Sequence, residues 1–325
     1  MQPLRAPALR PGDVISVVAP AGPPDRARVE RGLAALEQRG FRLRTYGPLF
    51  AGRGYLAADD EERLRQLNAA LRDPETAAVF PARGGYGCAR LLAGLDYQAL
   101  ARRPKIVVGF SDLTALHAAI DARLGLVTFH SPNLQDGLGA EAGLSDLADK
   151  WFWRAVLAEA YRRDDAGTGY AVELDGPAAD RLRTLVPGVA RGRLCGGNLA
   201  VFAGLAGSPY LPDLAGRILV VEDVGEAPYR IDRFLAQLRL SGALERIAGA
   251  LLGQFTDCEP NAGSPSLNVE ETLHDYFGRL SVPVLAGFPL GHTRAHVTLP
   301  LGAPVEVDAT GRRLRVLEDP VATNC

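Results

Sequence analysis

The stretch KIVVGFSDLTALH, residues 105–117, carries an apolar Ile106-Val107-Val108 into Gly109 and then into Ser111 and Asp112, where the pattern turns helical. A serine at a sharp strand-to-helix turn is exposed as a nucleophile, with backbone N–H groups directed outward beside it. Ser and Asp are also ordinary residues at a helix start. Of the elbow pattern G-x-S-x-G only the first glycine, Gly109, is kept, and Leu113 stands at the second. On this stretch alone the helix cap is the simpler reading.

Three other stretches bear on the choice. The loop ARGGYG (Ala82 to Gly87) follows one apolar run and precedes a helical one. A dinucleotide fingerprint needs G-x-G-x-x-G and an acid about 20 residues on; Gly85-Tyr86-Gly87-Cys88-Ala89-Arg90 lacks the last glycine and the acid. Paired glycines equally suit a tight turn, or a backbone N–H that approaches a developing oxyanion. The stretch ILVVEDVGE (218–226) sets acids at the end of a buried strand. They are either ion-paired, with Arg230 or Arg233 at hand, or hold a histidine in place. Of the five histidines, His292 sits in the Pro/Gly loop GFPLGHT, with His296 as its rival; His117, His130 and His274 lie in other contexts. Ser111, Glu222 and His292 would make a triad, which is defined by geometry and roles rather than by chain order. No H-E-x-x-H motif is present, so metal catalysis is not expected.

The whole chain bounds these readings. At 325 residues, 47% hydrophobic and 23% charged, it is a globular protein of one large or two ordinary domains. A net charge of −2 gives no reason to expect nucleic acid or an anionic membrane as partner. Lys105 and Lys150 are the only lysines among 36 basic residues, a composition bias rather than a binding patch. Cys88, Cys195, Cys258 and Cys325 lie far apart, as scattered thiols of a reducing compartment do. The apolar run Val14 to Ala19 is too short for a secretory signal. A soluble, cytoplasmic protein is expected.

The elements that must position these residues follow from periodicity. Strands are expected at Asp13–Val18, Phe41–Tyr46, Ala77–Phe80 and Ile106–Val108, alternating with helices over Asp25–Gly40, Glu61–Leu71, from Cys88 and from Asp112. That alternation indicates βαβ units and a parallel sheet, with ligands taken beyond the carboxyl ends of its strands. Residues 135–185 give a weak signal and read as a connecting segment. Short strands at Val189–Leu194, Arg217–Val221, Pro304–Asp308 and Arg313–Leu317, with a helix near Ile231–Ser241, mark a second domain. The fold class is α/β: a Rossmann-like parallel-sheet N-terminal domain over 1–160, a linker over 161–184, and a smaller β-rich α+β domain over 185–325.

Six segments, in order, resemble the LD-carboxypeptidases, a serine peptidase family also called muramoyltetrapeptide carboxypeptidases: PGDVISVVAPAGP, ARGGYGCARLL, VVGFSDLTALH, GRLCGGNLAVFAGLAGSPY, VVEDVGEAPYRIDR and GFPLGHTRAHVTLPLGAPVEVD. The resemblance implies a Ser-Glu-His triad of Ser111, Glu222 and His292, with an oxyanion hole from the backbone N–H groups of Gly85 and Asp112. It implies release of terminal D-alanine from cytoplasmic murein tetrapeptides during cell-wall recycling, by a homodimer that needs neither metal nor cofactor. Arg83, Arg230 and Arg294 are candidates for holding the substrate carboxylate, and Tyr86, His130 and Asn198 for other substrate contacts. Ser131 stands where the resemblance leads one to expect glycine. One branch of the family instead cleaves the amide of microcin-type peptidyl nucleotides and carries an aromatic residue for the base; Trp151 to Trp153 is a possible counterpart, with a core role the simpler one. An NAD-dependent dehydrogenase and a non-catalytic two-lobed ligand binder are the readings from other classes.

Overall fold

The computed structural model describes residues 2–158, 169–260, 263 and 265–322. Fourteen strands are described: β1 Val14–Val18, β2 Arg42–Thr45, β3 Thr76–Pro81, β4 Ile106–Gly109, β5 Thr128–His130, β6 Tyr170–Val172, β7 Arg183–Val186, β8 Val189–Asn198, β9 Ile218–Val224, β10 Gly249–Thr256, β11 Val284–Ala286, β12 Leu299–Leu301, β13 Pro304–Asp308 and β14 Arg313–Val316. The helices are α1 Arg26–Gln38, α2 Asp60–Arg72, α3 Tyr97–Arg102, α4 Thr114–Leu124, α5 Asp146–Val156, α6 Gly176–Asp180, α7 Leu199–Ala203, α8 Pro228–Leu240 and α9 Val269–Phe277. Two compact units result, one drawn from Met1–Arg163, Val297–Pro300 and Pro320–Cys325, the other from Asp164–His296 and Leu301–Asp319.

The first unit is a six-stranded sheet in the order β12-β5-β4-β3-β1-β2. Strands β1 to β5 pair in parallel. All five residues of β1, VISVV, and all four of β4, IVVG, are buried, as strands covered on both faces must be. The helices start where side chains accept their first N–H groups: Asp25 from Arg28, Asp59 from Glu62 and Ser145 from Ala148. Acids fill the first turn of α2 and Arg72 its last, matching the helix dipole. Lys105, fully buried, donates from Nζ to Ala70 O, Asp73 O and Thr76 Oγ1, tying the end of α2 to the start of β4. An ammonium with three donors suits three convergent acceptors better than a planar guanidinium.

The strand order reverses between β1 and β3. In such sheets the crevice beyond the carboxyl ends of those two strands takes the ligand. The loops that leave them are Ala19–Pro24 and Ala82–Gly87, and β4, which leads to Ser111, is the next strand along.

The second unit is an eight-stranded sheet in the order β6-β14-β13-β8-β9-β10-β11-β7. Its centre, β8 to β11, is parallel. Antiparallel strands flank it on both sides, β13, β14 and β6 on one and β7 on the other. This half is therefore a mixed sheet around a parallel core, not a purely antiparallel β structure.

Two expectations need correction. Residues 135–185 are not merely connecting: α5 lies there, and the buried Ala148, Trp151, Phe152, Ala155 and Val156 follow a helical i, i+3, i+4, i+7, i+8 spacing. Two tryptophans flanking a phenylalanine, all three consecutive, masked that period. The range expected as a linker, 161–184, lies outside the described residues over 161–168. Beyond that it supplies β6, α6 and the start of β7 to the second unit.

Candidate active site

Ser111 follows β4 in the left-handed region, with φ of 62°. Non-glycine residues are uncommon there, Asp257 and Arg312 being the other two among the described residues, and such strain clusters at functional sites. Gly109 before it has φ of 133° and is held on both sides: its N–H donates to Ser131 Oγ at 3.1 Å, and its carbonyl accepts from Ser131 N at 3.1 Å and from His117 Nε2 at 2.9 Å. The serine at 131, in place of the expected glycine, thus supplies an acceptor that fixes the approach to Ser111. A carbonyl only accepts, so Nε2 of His117 carries the proton. Burial holds that imidazole down to about 3, with His130 nearby adding to the effect and the Gly109 bond opposing it.

Neither Ser111 nor Asp112 caps the following helix. The N-cap positions are Phe110 for the short 3₁₀ turn Ser111–Leu113 and Leu113 for α4, and neither makes a side-chain cap bond. The Asp112 carboxylate, 3% exposed, instead accepts from Cys88 N at 2.7 Å. The expectation that Asp112 starts its own helix is therefore wrong: it starts the 3₁₀ helix Cys88–Gly94, in another segment.

The glycine loop lies against Ser111. A Cβ on Gly84 would sit 2.9 Å from Ser111 Cβ and 3.1 Å from its Oγ, closer than side chains pack. Gly84 O accepts from Gly22 N at 3.0 Å, and Arg83 donates to Pro23 O at 3.0 Å, so the loop after β1 braces the loop after β3. Gly85 is exposed with φ of 111°. Among the described residues the N–H groups of Gly85 and Asp112 donate to no protein acceptor.

In the second unit the fully buried Glu222, on β9, accepts from His292 Nδ1 at 2.9 Å; the histidine side chain is 20% exposed. Successive strand residues face opposite ways, so only one of the two neighbouring acids can meet that ring. Asp223 serves the other face, accepting from Asn198 Nδ2 at 2.8 Å and Ala200 N at 2.9 Å. Burial pushes the Asp223 carboxyl up to about 6, with Glu222 beside it adding and three N–H donors opposing. Gly291 must be glycine: its φ is 106°, and a Cβ would lie 2.7 Å from Glu222 Oε2. Thr256 Oγ1 holds His292 O at 3.3 Å, and β10 holds the preceding loop through Gln254 N to Leu290 O at 3.1 Å.

The remaining candidates divide by exposure. His296 and His130 are buried, the latter edge-on to Phe110 at 6.2 Å. Asn198 is buried, with Oδ1 capping α7 through Val201 N, so its amide serves the protein rather than an open surface. Arg230 and Arg294 are exposed, and Arg230 pairs with Glu226 at 3.4 Å rather than with Glu222 or Asp223. Tyr86 is exposed and meets Tyr55 edge-on at 5.6 Å. Trp151, Phe152 and Trp153 are buried, Trp153 stacking on Phe41 at 5.8 Å; the cluster is core. Sequence reading missed Gly22, Gly84, Arg63 and the Asp112 carboxylate. Only the glycines left a trace, as doublets and Pro-Gly neighbours at strand ends. Among the described residues no cluster of His, Cys, Asp and Glu could hold a metal, and no helix is long and apolar enough to cross a membrane.

Comparison with known proteins agrees with this layout. Residues 15–131 match the LD-carboxypeptidase N-terminal domain and 191–307 the LD-carboxypeptidase C-terminal domain. The chain is 38% identical over 313 residues to a probable murein peptide carboxypeptidase of Bacillus subtilis, covering 96% of this chain and 93% of that one. It is 30% identical over 341 residues to the microcin C7 self-immunity protein MccF of Escherichia coli, covering 99% and 98%. A crystal structure of muramoyltetrapeptide carboxypeptidase from Oxalobacter formigenes superposes with a TM-score of 0.77 at 32% identity, covering 93% of this chain and 97% of that one.

Proposed function

Because the chain belongs to the LD-carboxypeptidase family, we propose that it is a serine carboxypeptidase releasing terminal D-alanine from murein tetrapeptides by cutting an L–D peptide bond. In this reading Ser111 attacks the carbonyl carbon of the L-residue, and His292 takes its proton on Nε2. Glu222, bonded to Nδ1, fixes that tautomer and stabilises the imidazolium. The N–H groups of Gly85 and Asp112 receive the oxyanion, each worth about 3–4 kcal/mol in comparable sites. His292 returns the proton to the leaving D-alanine nitrogen, and water then hydrolyses the acyl-enzyme. The observation that carries the reading is the left-handed Ser111 at the end of a parallel strand, beside two N–H groups without protein acceptors. A non-catalytic binder would have no use for that strain.

Arg83, Arg230 and Arg294 are the candidates for the substrate carboxylate. The reaction is placed in the cytoplasm, in cell-wall recycling, and a homodimer is expected. The similarity to the microcin self-immunity protein favours a second reading, hydrolysis of a peptidyl-nucleotide amide. Murein tri-, tetra- and pentapeptides assayed beside a peptidyl adenylate separate the two. D-Alanine release from tetrapeptide at the highest kcat/KM is expected; faster cleavage of the adenylate would replace the first reading with the second.

A further inference from the structure

Resting on the functional reading above, we propose that the Asp112 carboxylate is a positioning group for the oxyanion hole, locking the Gly85 loop to the nucleophile turn. Asp112 is the residue after Ser111, so its own N–H is fixed by the strained turn. Its side chain reaches a different segment and accepts from Cys88 N at 2.7 Å, three residues beyond Gly85. The N–H of Gly87 also contributes to its stabilisation. One residue therefore supplies one oxyanion donor and ties down the loop that carries the other.

The loop's other attachments leave that end to Asp112. At its start Ala82 N donates to Val18 O, and Ala82 O accepts from Gln135 N. In its middle Gly84 O is held by Gly22 N. Beyond Gly85 the chain passes through Gly87, φ 127°, into a 3₁₀ helix whose own N-cap position makes no side-chain bond. Asp112 provides the missing cap from outside.

Arg63 adds a positive charge behind that buried carboxylate, a smaller contribution than those of the Cys88 and Gly87 donors. Its side chain is fully buried, donates to Pro20 O and pairs with Asp60 at 2.5 Å. A Cβ on Gly87 would lie 2.6 Å from Arg63 Nη1, so the guanidinium packs directly behind the capped turn. Burial raises the Asp112 carboxyl, and the N–H donors and Arg63 oppose that rise.

The test compares Asp112→Asn and Asp112→Ala with the wild type. Asn keeps one acceptor but turns an NH₂ toward donors that need an oxygen; Ala removes both acceptors. Rates are normalised to active sites titrated with a serine-directed phosphonate, which removes any loss due to unfolded protein. The expected order in kcat per site is wild type, Asn, Ala. Ala should lose about 10²–10³-fold, the cost of one misplaced oxyanion donor, and Asn at least about tenfold. KM should stay within about threefold, and affinity for a peptide aldehyde, which mimics the tetrahedral adduct, should fall by the same factor as kcat. If Ala does not fold, Asn decides alone. An unchanged kcat per site, or a loss confined to KM, overturns the inference. A wild-type protein that releases no D-alanine and is not labelled at Ser111 would instead overturn the functional reading.

Discussion

The end of β4 holds a fully buried histidine against a backbone carbonyl, whereas the loop after β11 holds a partly exposed histidine against a buried carboxylate. His117 gains nothing from a positive charge: burial keeps it neutral, and its Nε2–H serves only as a donor that shapes the turn before Ser111. His292 has a carboxylate partner instead, and in the proposed mechanism that carboxylate stabilises the ring while it holds a proton. Residue type is the same in both regions, and the partner assigns the role.

Exchanging those partners should separate the two regions by orders of magnitude. On the scale of other serine hydrolase triads, His292→Ala should lower kcat by about 10⁶-fold. His117→Gln, which keeps a donor for Gly109 O, should cost less than about tenfold. Comparable losses in both variants, measured as D-alanine release per folded protein, would erase the distinction. The same experiment with His296→Ala tests the choice within the loop; loss of turnover there, with His292→Ala active, would reverse it. Glu222→Gln should cost about 10⁴-fold, since the amide can hold the ring but not stabilise its charge. Full activity in that variant would remove the carboxylate from the account.

Stability against pH gives a smaller and independent reading. The folded-state pKa of His117, about 3, lies below the usual value near 6.5, so the unfolded chain binds more protons between those limits. Its contribution to stability is present above pH about 6.5 and is lost as pH falls toward 3. Asp223 has the opposite sign: its raised pKa of about 6 favours the folded state on acidification from about 6 to 4. The His117 shift is the larger, so for these two groups the balance falls with acid. Urea midpoints at pH 7 and pH 4.5 should converge in His117→Gln and diverge further in Asp223→Asn; an unaltered slope in His117→Gln would mean that the imidazole is not held neutral. Smallest of all is the exposed Arg230–Glu226 pair, whose removal by Arg230→Ala should leave the urea midpoint unchanged. A clear drop would show the acids after β9 to be more tightly coupled than their separate partners suggest.

Much of this was legible because it is local. β1 and β4 are unbroken apolar runs, and the helix start at Asp25 follows from capping chemistry. Pairing Glu222 rather than Asp223 with His292 came from family resemblance; the strand's alternation gives the physical reason. What stayed hidden depends on contacts across the chain. Nothing near Asp112 in sequence reveals that its carboxylate belongs to Cys88, 24 positions earlier. Nor does ERLRQ announce that Arg63 will be buried, because an arginine amid charged neighbours on an amphipathic helix ordinarily faces water.

The central claim is that the strained serine after β4 performs the chemistry. The direct measurement is D-alanine release from a murein tetrapeptide by the wild-type protein and by folded Ser111→Ala. The account predicts release by the first and a rate at least about 10⁴-fold lower in the second. Release by Ser111→Ala at the wild-type rate would contradict it.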